Sequence, residues 1–206
     1  MAARRATINN RRVMGPRHND RNFKKDLKGA EHINWNKSEL NEYGHYYMDE
    51  DKPNNPDNKL TFEEVEIRFY EEHFRKALDA KNERYRHEGH KDRCQTMAQY
   101  KSNKRTCPEE TLYYVGNKDN DVDPEIFKAI YRDFYDWHDD EFGNHIAILD
   151  AALHLDEKTP HIHERKVWIS TDKDGNLVVN QNGALRDMGM ERPEHDKPEN
   201  RYNNQV

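Results

Sequence analysis

The run Leu153-His154-Leu155-Asp156-Glu157-Lys158-Thr159-Pro160-His161-Ile162-His163 concentrates the residues best suited to chemistry. His161 and His163 flank one apolar residue. On a strand, alternate side chains share a face and lie about 6.6–6.8 Å apart along it, so both imidazoles project to one side while Ile162 enters the opposite layer. His154 ends a mostly apolar run that starts at His145. The connection from Leu155 to Pro160 is short enough to make the two strands neighbours. Three imidazoles can then meet at one point and leave coordination positions open to water or a phosphate oxygen, as a catalytic metal site requires. Asp156 and Glu157 are placed to accept the second ring N–H of a ligand histidine. The chain has twelve histidines, and any lone one is best read as a surface residue. Three at this spacing around an acidic pair are read as a ligand cluster.

The elements that must carry these residues follow from periodicity and punctuation. Residues 5–13 give a weak strand pattern, and 14–59 are rich in loop signals. Thr61-Phe62-Glu63-Glu64 is a capping-box start. Phe62, Val65, Phe69, Phe74, Ala77 and Leu78 then recur at helical spacing, predicting a helix from about 62 to 86. Thr111–Val115 has strand composition. Asp123-Pro124 opens a second helix, with Ile126, Phe127, Ile130, Tyr131 and Phe134 as its buried stripe and Gly143 as its stop. Strands over 145–154 and 161–170 follow. A tight turn at Asp172–Asn176 returns the chain through Leu177–Val179 as a hairpin. A short helix is expected over 183–190, and Pro193 opens a loose tail. The order implies an α+β domain, with a central antiparallel sheet of about five strands and helices packed mainly on one face.

Composition narrows the class. Hydrophobic residues make up 33% and charged residues 36% of the 206 positions, yet 10% are aromatic, enough to build a core. No stretch approaches the roughly 20 apolar residues of a membrane span. The N-terminus has no apolar region of the secretory kind. Cys94 and Cys107 lie outside any CxxC spacing and read as reduced thiols of a cytoplasmic protein. The net charge of −6 argues against a nucleic-acid partner until its distribution is considered. Residues 1–30 hold nine basic against two acidic residues, and 81–106 hold eight against three. Basic segments on an acidic body can track a phosphate backbone, although solvated faces give the same pattern.

The histidine run resembles the metal motif of the Mob/Pre (MobV-type) plasmid mobilisation and recombination relaxases, members of the HUH endonuclease superfamily. Arg17-His18-Asn19-Asp20-Arg21-Asn22-Phe23 resembles the first motif of that family, a His followed three positions later by Arg. His32-Ile33-Asn34-Trp35-Asn36-Lys37-Ser38-Glu39-Leu40-Asn41 resembles the second, with Asn41-Glu42-Tyr43 where the family has an Asn-Tyr pair. The motifs occur in family order across nearly the whole chain. The resemblance implies a bacterial, cytoplasmic enzyme that binds origin-of-transfer DNA, single-stranded or as a hairpin. It would nick one strand at a defined site and remain joined to the 5′ phosphate.

The resemblance also implies a divalent cation, Mn²⁺ or Mg²⁺, at His154, His161 and His163; an imidazole shell favours Mn²⁺. His18 is the implied nucleophile, with Tyr43 as the alternative. Arg21 and Arg17 would grip phosphate oxygens, and Glu157 would orient a ligand or act as general base. Asn19 and Asn34 fall within the motifs as DNA contacts, and Trp35 and Tyr43 are candidates for stacking an unpaired base. Residues 1–192 form the expected catalytic domain, with 193–206 as a tail where a truncated C-terminal region would begin.

Two other classes fit part of the pattern. A zinc hydrolase of small phosphoesters accounts for the ligands but not for the Arg17–Arg21 motif. A histidine-triad nucleotide hydrolase would need a third alternate histidine where Arg165 stands. A DNA-binding module with a structural metal would close the site with four ligands, often including Cys.

Overall fold

The computed structural model describes the backbone of residues 6–11 and the full residues 15–22, 30–116 and 122–190. Six strands are found among them: β1 (Ala6–Arg11), β2 (Glu42–His45), β3 (Glu109–Val115), β4 (Ile146–His154), β5 (His161–Thr171) and β6 (Leu177–Val179). The helices are α1 (Pro16–Asn19), α2 (Phe62–His87), α3 (Met97–Ser102), α4 (Pro124–Phe142) and α5 (Gln181–Asp187). Five strands run in the order β1-β3-β5-β4-β2, and β6 adds to β5. The fold is α+β. The chain divides into two compact units.

The first unit comprises Met1–Arg68, Pro108–Asp140 and Ile148–Lys166. β3 pairs antiparallel with both β1 and β5, and Glu110 stands opposite Arg165 and Leu112 opposite His163. β2 pairs antiparallel with β4 at the sheet edge. Its four residues, Glu-Tyr-Gly-His, show no alternation and contain a glycine, so the segment reads as loop in sequence.

The helices of this unit divide between the two sheet faces rather than sharing one. Glu66 of α2 meets Arg165, whereas Tyr131 of α4 meets Glu164, its neighbour on β5. Successive strand residues point to opposite faces. The core on the α4 side joins Val122, Phe127, Leu153 and Ile162, with Tyr113, Val115, Tyr131 and Leu155 packed against them. The expected stripe of α4 is corrected here, because Ile126 and Ile130 are about half exposed. The inward face is instead Phe127, Tyr131, Phe134 and His138, spaced i, i+4, i+7 and i+11.

The capping box of α2 forms as its sequence demands. Thr61 Oγ1 accepts from Glu64 N, and the Glu64 carboxylate accepts from Thr61 N at 2.8 Å. All six residues of the expected α2 stripe are buried.

The second unit comprises Phe69–Cys107, Glu141–Ala147 and Val167–Val206. Tyr70, Phe74 and Tyr100 pack edge-on or tilted within it, and Ile146, Trp168, Ala184 and Leu185 form a second cluster. β6 pairs antiparallel with the end of β5 across a turn where Gly175 takes φ +75°, a conformation open to glycine at no steric cost. α5 starts two residues earlier than its pattern suggests because the Asn180 side chain caps it, accepting from Gly183 N at 3.1 Å. α3, with its own Thr96–Gln99 capping box, was not expected from the sequence. The tail from Pro193 lies outside the described residues. No helix among the described residues is long and apolar enough to cross a membrane.

Candidate metal centre and its surroundings

His154 ends β4, and His161 and His163 open β5. All three rings are buried, with centroids 4.8–5.2 Å apart. Each ring has one nitrogen engaged on its outer side. His154 Nε2 lies 2.7 Å from the Asn19 carbonyl oxygen, and His161 Nδ1 lies 2.8 Å from that of Thr159. A carbonyl oxygen only accepts, so both ring nitrogens are donors. His163 Nδ1 lies 2.7 Å from Glu110 Oε1. Burial pushes the Glu110 carboxyl up to about 7 while Arg165 pulls it down, so above that pH an ionised carboxylate meets the ring.

A neutral imidazole has one donor and one acceptor. The inner nitrogens, His154 Nδ1, His161 Nε2 and His163 Nε2, are therefore lone-pair bearers. Two of them face each other at 3.1 Å, and His154 Nδ1 is buried with no hydrogen-bond partner among the described residues. Protonation does not resolve the conflict at His154. Burial first, then Arg21 and His163, push its pKa down to about 2. Inward-facing nitrogens, with protonation disfavoured at His154, suit a divalent cation, and the donor set therefore fits one.

Glu157 lies among these rings, 3.7 Å from His154 Nδ1 and 3.8 Å from His161 Nε2, and can supply an oxygen to the same ion. The orienting role expected of Asp156 is corrected. Its carboxylate accepts from Arg21 Nε at 3.0 Å, Arg21 Nη2 at 2.6 Å, Ser38 Oγ at 2.7 Å and Asn41 Nδ2 at 2.8 Å, and from no histidine. Burial works against its ionised form, but these bonds outweigh it and hold the carboxyl well below the usual range. Asn41 Oδ1 in turn accepts from the backbone of Leu155 and Asp156. The second motif thus fastens the connection between β4 and β5.

α1 positions the first motif. Pro16 occupies its first turn, and the helix ends at Asn19. Arg21 then adopts φ +59°, the left-handed region that non-glycine residues rarely enter. From there its guanidinium reaches Asp156 and, at 2.8 Å, Glu157. His18 stands beside the cluster, with ring centroids 5.5 Å from His163 and 6.0 Å from His154. Its Nε2 lies 3.4 Å from Arg21 Nη1. Burial, with Arg21 and His163, pushes its pKa down to about 4, so the ring is neutral at pH 7.

The remaining expected residues are less uniform. Arg17 is exposed and paired with Glu63 at 2.6 Å. Asn34 caps a short turn through Asn36 N, and Trp35 is half-buried next to it. Tyr43 is half-buried, its hydroxyl 3.2 Å from Asn41 Nδ2, and burial raises its pKa. Asn19 is corrected as a DNA contact. It is fully buried, and its role here is the carbonyl that orients His154.

Sequence reasoning missed two residues. His32, read as a structural or surface residue, stacks on His18 with centroids 6.0 Å apart and lies 3.4 Å from Glu157 Oε1. Its place two residues before Asn34 was the available signal. Glu110 had none, because it sits 53 residues from His163 and meets it only through strand pairing.

No protein with a curated description matches the chain. Three solved structures of the MobM relaxase domain, each Mn-bound and in complex with plasmid pMV158 oriT DNA, resemble it weakly. One covers 100% of both chains at 15% identity and TM-score 0.45, and another covers 97% of both at 15% and 0.46. The third covers 85% of this chain and 74% of the other at 16% and 0.43. The family model described as plasmid recombination enzyme, Mob_Pre, matches residues 69–203. The match spans more than half of the chain, which therefore belongs to the Mob_Pre family of plasmid recombination enzymes.

Proposed function

We propose that the chain is a relaxase that cuts one strand of plasmid origin-of-transfer DNA by transesterification and holds the 5′ phosphate covalently. The observation that carries this reading is the clustering of the His154, His161 and His163 rings, centroids 4.8–5.2 Å apart, beside a neutral His18. His154, His161 and His163, with Glu157 at hand, would hold a divalent cation, Mn²⁺ in preference to Mg²⁺. When bound, that cation polarises the scissile phosphate and offsets charge building on its oxygens.

His18 supplies the nucleophile. One neutral ring nitrogen forms the N–P bond as the P–O3′ bond breaks. The proton lost from the other ring nitrogen balances the one gained by the departing 3′ oxygen. The product is a phosphoramidate, a link reversible enough for strand rejoining. Tyr43 is the poorer nucleophile because burial keeps its hydroxyl protonated. Arg21, fixed by two carboxylates, would share Nη1, which donates to the His18 carbonyl at 3.2 Å, with a phosphate oxygen, and Arg17 would lie further out. Asn34, Trp35 and Tyr43 would border the unpaired strand. Glu157 would relay that proton from the ring nitrogen toward the departing 3′ oxygen. The site of action would be the cytoplasm of a plasmid-bearing bacterium.

The test is incubation of the chain with a supercoiled plasmid carrying the DNA that flanks its own gene, with Mn²⁺ or with chelator. Expected are nicking only with Mn²⁺ and a protein–DNA adduct on a denaturing gel, mapped to His18. An adduct mapped to Tyr43 moves the nucleophile. Nicking without any adduct removes the transesterification reading.

A further inference from the structure

Behind His163 lies a chain of buried ions. Glu110 Oε1 takes the ring N–H at 2.7 Å, and Glu110 Oε2 lies 3.4 Å from Arg165 Nη1. Arg165 Nε is bonded in turn to Glu66 Oε1. Glu66 is fully buried, Glu110 is 2% exposed and Arg165 is 7% exposed. Three strand positions and one helix position bring this about. His163 and Arg165 share a face of β5, Glu110 is the register partner of Arg165 on β3, and Glu66 reaches the same face from α2.

We propose that Glu110 is the positioning residue of the histidine cluster. Held by Arg165 and Glu66, it fixes the tautomer and aim of His163 and thereby sets how tightly a divalent cation is held. This rests on the reading of the three histidines as ligands. The argument has two parts. The first is the tautomer: a carboxylate oxygen accepting at Nδ1 leaves the lone pair of His163 on Nε2, the nitrogen that faces His161. The second is cost. A buried ion chain is a weak source of stability compared with apolar packing, so these three residues call for another use. His154 and His161 lean on backbone carbonyls, which substitution cannot remove, so His163 is the ligand whose orientation depends on a side chain.

The experiment measures Mn²⁺ binding to the full chain by loss of the free-ion electron paramagnetic resonance signal. Long-range ¹H–¹⁵N spectra of the metal-free protein report the His163 tautomer. Glu110→Gln should weaken Mn²⁺ binding by roughly 10–100-fold and mix the two His163 tautomers, an effect that simple loss of stability does not produce. Glu110→Asp keeps the charge and should recover part of the affinity. Glu66→Gln acts one bond further away and should give a smaller loss, and the latter two variants serve if Glu110→Gln does not fold. Wild-type protein that takes up no Mn²⁺ overturns the ligand reading and this inference with it. Wild-type protein that binds Mn²⁺ while Glu110→Gln binds equally well, or keeps one His163 tautomer, overturns this inference alone.

Discussion

The two faces of β5 bury polar groups of opposite character. On the α4 face, Glu164 is fully buried and its carboxylate is matched with donors. Tyr113 donates at 3.0 Å, Tyr131 at 3.4 Å and Lys166 at 3.1 Å. Burial and the Glu164 charge hold both tyrosine hydroxyls protonated, so the donors stay donors. On the other face, one and three residues before Glu164, His163 and His161 approach each other and His154, with ring centroids 4.8–5.2 Å apart. The first cluster is complete in itself, as a structural network should be. The second anchors each ring through one outer nitrogen, while His154 Nδ1 faces inward with no hydrogen-bond partner among the described residues. Two buried polar clusters of similar size are therefore told apart by whether donors and acceptors balance, not by burial or charge count.

The sharpest way to break the comparison is to delete the nucleophile candidate. His18→Ala should reduce the covalent adduct by roughly 10³-fold or more, while Mn²⁺ uptake and fold persist; a full adduct with the variant would remove His18 from the chemistry. Next in size, Glu164→Ala strands Lys166 and two tyrosine hydroxyls. Denaturant unfolding should show a loss of about 3–5 kcal/mol, with Mn²⁺ affinity of the folded protein unchanged. A variant that lost the ion but not the stability would invert the assignment of the two faces.

Addition of Mn²⁺ tests the histidine face by itself. At a hundredfold excess over its dissociation constant, a ligand of the folded state adds about 2.7 kcal/mol, equivalent to a rise of several degrees in Tm for a chain of this size. Chelator should reverse the rise, His161→Ala should abolish it, and Glu164→Gln should leave it intact.

The smallest expected effect concerns Asp150, four residues before His154 on β4. It is fully buried, and neither carboxylate oxygen has a hydrogen-bond partner among the described residues. Burial, reinforced by Glu66, raises its pKa well above the ordinary value despite Arg165. A folded pKa above the unfolded one means a contribution fully present below about pH 4 and lost as pH rises toward the folded value. Asp150→Asn should therefore stabilise by on the order of 1 kcal/mol at pH 7.5 and by little at pH 4. Urea unfolding at the two pH values gives the answer, and equal gains at both would assign the effect to packing.

Much of the site was legible because it is local. Strand alternation put His161 and His163 on one face, and a six-residue connection brought His154 beside them. The capping box of α2 and the proline start of α4 were equally readable, since helix ends depend on residues three or four apart. Asp156 was misassigned for the converse reason. His154 lies only two residues before it, but its carboxylate turns to Arg21, Ser38 and Asn41, more than a hundred residues away.

The sequence by itself determined the family, the α+β class and the neighbourhood of the three histidine rings, because each rests on short-range spacing that the periods of strand and helix convert into a shared face. Only the tertiary structure decided what stands behind and around them. Glu110 behind His163, His32 over His18, the left-handed turn at Arg21 and the buried Asn19 carbonyl all depend on long-range pairing and packing. No interval between residues encodes which side chain a distant strand will set against a ring.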